Sequence, residues 1–250
     1  MKVEQTAVVG YDEVDATLCM KLPVLFQWFQ RAALHHSERV GLRSERMMAD
    51  GGVWILSRMR VEIRRLPRFR ETVTVRTWHK GSVGFRAGRD FILLCGDEPL
   101  AAATSQWLFY DLARKRIVKI PREVAEPYTR ESEDVLANGA IDFAVDKSFT
   151  PQRTITITTR EGDIDPNGHV NNTVYPEYLS TLLGKTGRGG AAVRQVGIQY
   201  LKEIGRGVDS VQAGLAETTA GIRFRFFDEQ AVYAAGFVEL GTGCRHTGDT

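Results

Sequence analysis

Residues 163–172 read Asp163-Ile164-Asp165-Pro166-Asn167-Gly168-His169-Val170-Asn171-Asn172. Two carboxylates, an imidazole and three amides fall within ten residues. They lie between a strand-like run at 154–159 and a helical stripe of Val174, Tyr175, Tyr178, Leu179, Leu182 and Leu183. A polar passage that opens a helix gathers side chains and unbonded backbone N–H groups around one point, and the helix N-terminus favours negative charge developing there. Acyl transfer to water needs that combination: a base beside the attacking water and donors beside the carbonyl oxygen. Asp, Asn, Pro and Gly are equally ordinary turn residues, and Asn172 or Thr173 would serve as a plain N-cap. Residue types alone therefore favour a capped turn and a reactive site about equally.

The same plan occurs earlier in the chain. A helix is expected from Pro23, a favoured first-turn residue, to near Gly41, a favoured C-terminal residue; Leu25, Trp28, Phe29 and Ala32 have the spacing of a buried stripe. Residues 54–64 alternate, Met59, Val61 and Ile63 on one side and Arg58, Arg60, Glu62 and Arg64 on the other, as a half-buried strand does. Further strands are expected at 72–78, 85–94 and 102–110. After the second helix, which Gly184 should stop, they are expected at 196–201, 210–217, 222–227 and 231–239. A short strand, an irregular passage, one helix and a series of strands, twice over, predicts an α+β architecture with a sheet wrapped on a helix in each half. The expected division is 1–121, an acidic linker at 122–148, and 149–250. Placing the two irregular passages at an offset of 150 sets Asp15 over Asp165, Thr17 over Asn167 and Cys19 over His169. The first copy keeps the carboxylate and lacks the amide and the imidazole, so chemistry is expected in the second copy alone.

Composition bounds the rest. Of 250 residues, 43% are hydrophobic and 26% charged, which suits a sizeable core and excludes a disordered or fibrous chain. The formal charge is only +2, so any acidic partner must be met by a local patch. Three scattered cysteines argue against a disulfide framework or a zinc knuckle. No apolar run reaches the roughly 18 residues of a membrane span. The N-terminal residues lack an apolar signal core, and a cytoplasmic location is expected. His35 and His36 are adjacent, face different ways on a helix and make a poor metal pair. The tail at 241–250 carries no pattern.

The run Asp165, Asn167, His169, Val170, Asn171, Asn172 resembles the Asp-x-Asn-x-His-Val-Asn-Asn motif of the acyl-acyl carrier protein thioesterases. The segment Tyr200-Leu201-Lys202-Glu203-Ile204-Gly205 is similar to that family's Tyr-Arg-Arg-Glu-Cys-Gly, with Glu203 38 positions beyond Asp165. The first half matches as well, at Trp54-Ile55-Leu56-Ser57-Arg58-Met59-Arg60-Val61-Glu62-Ile63, Thr77-Trp78, Arg89-Asp90-Phe91, Ala103-Thr104-Ser105-Gln106-Trp107 and Ile120-Pro121. The resemblance runs from about Gln5 to Glu239. It departs at Ile204, where the family carries a cysteine once proposed as nucleophile, and in the targeting and N-terminal segments of the plant members.

The resemblance implies a tandem hotdog that hydrolyses fatty acyl thioesters of acyl carrier protein by directly activated water. Asp165 or Glu203 is then the base, with Asp165 favoured and Glu203 holding His169. Asn167 positions the water or the carbonyl, and His169 with the backbone N–H groups near Val170 and Asn171 polarises the thioester oxygen. Asn172 completes the substrate-binding set. Leu25, Trp28 and Phe29 are candidates to line an acyl tunnel, although residues at that spacing are more often plain core. No metal or organic cofactor is expected, because a thioester is already an activated acyl donor. Six arginines at 58, 60, 64, 65, 68 and 70 form a stripe able to steer an acidic carrier protein, Arg58, Arg60, Arg64, Arg65 and Arg68 foremost. A solvated strand face with scattered ion pairs fits the stripe as well, and no nucleic-acid-binding motif accompanies it. Sheet edges of such tandems can pair, which admits a homodimer. A coenzyme A thioesterase and a non-catalytic acyl-thioester-binding module are the alternatives.

Overall fold

Two units, Met1–Phe143 and Ala144–Thr250, share one strand order. A computed structural model describes residues 1–136, 141–143, 145–219 and 221–241; Cys244 and the patternless tail beyond Gly241 lie outside them. The first unit runs β1 (Lys2–Val8), α1 (Leu22–Arg39), α2 (Ser44–Ala49), β2 (Gly52–Ile63), β3 (Thr72–Val83), β4 (Arg86–Cys95), β5 (Glu98–Asp111), β6 (Arg116–Ile117) and α3 (Arg122–Ala125). The second runs β7 (Arg153–Thr158), α4 (Tyr175–Leu183), β8 (Ala192–Tyr200), β9 (Ser210–Thr218), β10 (Gly221–Phe227) and β11 (Val232–Gly241). Within the first unit the antiparallel order is β1-β3-β4-β5-β2, and within the second β7-β9-β10-β11-β8. Each sheet therefore places its own first, third, fourth, fifth and second strands in line.

Helix and sheet hold each other through the predicted stripes. Leu25, Phe29 and Ala32 of α1 are buried, as are Met59, Val61 and Ile63 of β2 and Val73, Val75 and Leu93 of the neighbouring strands. In the second unit Leu179 and Leu182 of α4 are buried with Leu215, Phe224 and Phe226. A helix of nine residues is marginal alone in water. Fully burying each Leu or Phe contributes roughly 1.5–3 kcal/mol, so packing rather than propensity stabilises α4.

Two expectations change. Gly184 does not stop the second helix: its φ of −60° is helical, and a π turn carries the chain to Gly187 at φ +81°. Thr186 Oγ1 donates to Leu182 O at 2.7 Å, which holds the extra turn. The stretch 122–148 also differs from a linker, because most of it belongs to the first unit. Tyr128 is buried there, Glu131 N–H donates to His79 O (2.9 Å), Trp78 Nε1 to Glu133 O (3.1 Å) and Val135 N–H to Asp90 Oδ2 (3.1 Å). Such a strap is tied by backbone groups and single side chains, so it leaves no periodic pattern in the sequence. Among the described residues, no helix is long and apolar enough to cross a membrane.

Candidate active site

The irregular passage before α4 is a tight loop that folds back on itself. Asp165 N–H donates to His169 O and Gly168 N–H to Asp165 O, both at 2.9 Å. The passage before α1 repeats this at the offset of 150: Asp15 N–H donates to Cys19 O (2.8 Å) and Leu18 N–H to Asp15 O (3.0 Å). The turn needs a left-handed residue at its tip. Gly168 supplies it at φ +83°, whereas Leu18 adopts φ +60° at a cost of about 1–2 kcal/mol.

An acidic residue ties each turn to its helix. Asp163 is buried and accepts Tyr178 OH (2.7 Å), Arg160 N–H (3.0 Å) and Arg160 Nε (2.9 Å). Glu13 likewise accepts Trp28 Nε1 (2.8 Å) and Gly10 N–H (3.0 Å). The loop following β8 is joined to the turn by Val170 N–H donating to Ile204 O (2.8 Å) and Arg206 N–H to Gly168 O (3.3 Å). Met20 N–H to Pro67 O (2.7 Å) and Phe69 N–H to Leu18 O (2.9 Å) are the counterparts in the first unit. Ile204 thus corresponds to Pro67, and Glu203 to Leu66. Tyr175 hydrogen-bonds the Ile204 backbone from the first turn of α4, and burial raises its phenol pKa.

With the two frames in register, the differences stand out. Asn167 replaces Thr17, His169 replaces Cys19, Asn171 replaces Lys21 and Glu203 replaces Leu66. The aspartate is common to both and does the same work in both. Asp15 Oδ1 accepts Thr17 N–H at 2.8 Å, and Asp165 Oδ1 accepts Asn167 N–H at 2.8 Å. Asp165 Oδ2 also takes the Asn167 amide Nδ2 at 3.4 Å.

His169 sits half-buried with Nδ1 3.7 Å from Asp165 Oδ1 and 3.4 Å from Val170 O. A carbonyl can only accept, so in the neutral ring Nδ1 carries the proton and Nε2 presents a lone pair. Glu203 and Asn167 are exposed. Among the described residues no hydrogen bond joins Glu203 to His169; the carboxylate facing the imidazole is Asp165.

The backbone donors fall differently from expectation. Val170 N–H is taken by Ile204 O, and Asn171 N–H by Asp163 O at 2.9 Å. Neither is free for a thioester oxygen. Asn172 N–H and His169 N–H have no protein acceptor among the described residues. The amide that brackets the helix start is Asn171, whose Oδ1 accepts both Thr173 N–H and Thr173 Oγ1 at 2.9 Å, rather than Asn172 or Thr173.

The other expected residues belong to the first unit. Leu25, Trp28 and Phe29 are core: Phe29 packs on Phe91 at 5.0 Å, and the Trp28 indole is committed to Glu13. Half of the arginine stripe is held in ion pairs. Arg58 pairs with Asp142 (3.5 Å), Arg60 with Glu62 (3.1 Å), and Arg65 with Glu71 (2.8 Å) and Glu98 (2.9 Å). Arg64 and Arg68 are exposed.

A polar cluster in the first unit left little trace in the sequence. His36, His79 and Arg89 are buried, with Arg89 Nη1 donating to His36 Nδ1 at 2.8 Å. Tyr128 lies against both imidazoles and Arg89, and its OH meets Ser37 Oγ at 2.7 Å. Burial, then Arg89, lowers the pKa of His36 to about 3 and that of His79 to about 4. His36 lies on a helix face that its spacing from Phe29 and Ala32 could have marked as buried.

Comparison with known proteins agrees with the resemblance read from the sequence. The family models Acyl-ACP thioesterase N-terminal domain and Acyl-ACP thioesterase C-terminal domain match residues 1–128 and 147–234. The chain is 29% identical over 223 residues to the chloroplastic palmitoyl-acyl carrier protein thioesterase of Arabidopsis thaliana, covering 83% of this chain and 53% of that protein. It is also 29% identical over 178 residues to the chloroplastic acyl-[acyl-carrier-protein] hydrolase FATB3 of Cuphea viscosissima, covering 67% and 43%. The chain spans about half the length of the curated relatives it matches. A Lactobacillus plantarum structure described as an oleoyl thioesterase aligns with TM-score 0.84 and 25% identity, covering 98% of this chain and 97% of that one. The 12:0-ACP thioesterase of Umbellularia californica has the same fold, with TM-score 0.84 at 19% identity over 96% and 97% of the two chains. Both halves are hotdogs, and the chain belongs to the acyl-ACP thioesterase family.

Proposed function

We propose that this protein hydrolyses a fatty acyl thioester carried on acyl carrier protein, releasing the free acid, and that the chemistry resides in the second unit. The observation that carries the reading is the contrast between two turns built on one hydrogen-bond frame. The positions that differ add an amide and an imidazole to the turn and a second carboxylate to the loop hydrogen-bonded to it. The names of the curated relatives support the choice of carrier.

The frame also favours exchanging the roles first given to the two carboxylates. Asp165 does what Asp15 does in the copy without the imidazole, so its primary work is to hold the turn and the faces of Asn167 and His169. Glu203 is exposed, has no hydrogen-bond partner among the described residues and is absent from the first copy, where Leu66 stands. In this reading Glu203 takes the proton of the attacking water, and His169 Nε2 accepts a second hydrogen bond that aims it. The Asn167 amide and the open Asn172 N–H stabilise the oxyanion as the tetrahedral intermediate forms. Collapse of that intermediate expels the carrier's thiolate, which takes a proton. A positioned general base contributes typically ~10²- to 10⁴-fold in rate.

The test is hydrolysis of one acyl chain on carrier protein and on coenzyme A, by wild type and Glu203→Gln. Preference for the carrier with loss in the variant upholds the reading. Equal rates on the two carriers demote it to a broad thioesterase, and no turnover of either replaces it with a binding module.

A further inference from the structure

One end of the first unit's sheet is both apolar and positively charged. At the tip of the β3–β4 hairpin Val83 is 83% exposed and Phe85 44%, and Ile117 of β6 is 46% exposed. Backbone pairing joins them: Ile117 lies opposite Tyr110, Val118 N–H donates to Phe109 O (3.0 Å), and Ile120 N–H donates to Gly84 O (3.0 Å). Apolar residues scattered singly on a surface are ordinary, whereas a contiguous group marks a contact.

Four exposed cations frame this group: Arg86, Lys115, Arg116 and Lys119. Among the described residues none of the four forms an ion pair; Arg86 only lies over the Phe85 ring at 5.2 Å. Their neighbours Arg114 and Arg122 are paired with Asp111 and Glu126. Arg58, Arg60 and Arg65 of the stripe are paired in the same way, whereas the four cations around Phe85 and Ile117 keep their charge unpaired. A second copy is a poor occupant, because an isologous contact would set the four cations against themselves. An acidic partner with an apolar side chain on its docking face complements the surface in both respects.

We propose that this surface docks an acidic protein, and that under the function proposed above, on which this step rests, that protein is the acyl carrier itself. The carrier is then held by charge around an apolar contact to Phe85 and Ile117, away from the arginine stripe.

The experiment compares wild type with the combined variant Lys115→Glu, Arg116→Glu, Lys119→Glu, and separately with Phe85→Ser. The substrates are one acyl chain on acyl carrier protein and the same chain on free pantetheine, which has the thioester arm without protein or phosphate. The charge variant should lose about tenfold or more in kcat/KM on the carrier substrate, through KM, and much of its salt dependence, while pantetheine turnover stays at the wild-type rate. Phe85→Ser should raise KM for the carrier substrate alone. An unchanged KM on the carrier substrate, or equal losses on both substrates, overturns the proposal. Binding of wild type but not the charge variant to vesicles of phosphatidylglycerol and phosphatidylcholine, with carrier KM unchanged, assigns the surface to a membrane and overturns it too. If wild type turns over neither substrate, the proposed function fails, and calorimetry with the apo carrier protein decides the docking claim. Binding lost in the charge variant upholds it, and equal binding ends it.

Discussion

Asp15 and Asp165 do the same job 150 residues apart: each accepts, at 2.8 Å, the backbone N–H of the residue two positions on. A carboxylate at this place is therefore required by the turn whether or not chemistry follows. Replacing Asp15 with Ala removes a cap-like bond and should lower stability by about 1 kcal/mol while leaving kcat at the wild-type value. Asp165→Ala should cost similar stability and reduce kcat as well, because Asn167 and His169 lose their anchor. Thermal melts beside steady-state kinetics on both variants check the contrast.

Glu203→Gln is expected to lower kcat by ~10²-fold or more with little change in melting temperature, since the side chain is exposed. A pH–rate profile separates this from an indirect effect: the acid limb set by the base should disappear in the variant. A retained acid limb with near-normal kcat would return the role to Asp165.

Tyr178 and Asp163 form a buried bond of 2.7 Å between α4 and the start of the turn that carries His169. Tyr178→Phe leaves a carboxylate oxygen with one partner fewer and should cost about 1–3 kcal/mol in denaturant unfolding. An undiminished midpoint would show that the bond does not brace the turn.

His36 and His79 make the first unit acid-sensitive. Both pKa values are depressed in the folded state, to about 3 and about 4, from an ordinary value of 6.5, by burial first and Arg89 next. The unfolded chain binds their protons first, so their stabilising effect is complete above pH 6.5 and is lost as pH falls to about 4 for His79 and about 3 for His36. The loss at the acid end is on the order of 5 kcal/mol for His36 and 3 kcal/mol for His79. His36→Gln and His79→Gln should flatten the dependence of unfolding free energy on pH in that window; an unchanged slope would contradict the burial of neutral imidazoles.

The arginine stripe should prove structural. Arg65→Ala removes ion pairs to Glu71 and Glu98 that are partly exposed, so its cost should stay within about 1 kcal/mol, with KM for the carrier substrate unchanged.

Much of this was legible in the sequence, for identifiable reasons. The alternation of Met59, Val61 and Ile63 and the stripe of Leu179, Leu182 and Leu183 are direct records of one buried face, and the structure buries all six. The offset of 150 was legible because Asp15 and Asp165 open turns of equal length. The strap through Tyr128 and Val135 was not, because it is held by single polar contacts rather than a repeating pattern. Nor were the free and occupied N–H groups of Val170, Asn171 and Asn172 legible, since Val170 N–H is taken by a loop more than thirty residues away and Asn171 N–H by the turn folding back on Asp163. The scattered ion pairs of the arginine stripe to Glu62 and Glu71 were legible because those glutamates lie close in sequence, whereas Asp142 and Glu98 are brought near by the fold.

The measurement that bears most directly on the central claim is hydrolysis of an acyl-carrier thioester by His169→Ala and by Cys19→Ala, the same position in the two turns. Turnover should fall at least about 100-fold in the first and match wild type in the second. Near-normal turnover by His169→Ala, or an equal fall in Cys19→Ala, would contradict the assignment of chemistry to the second unit.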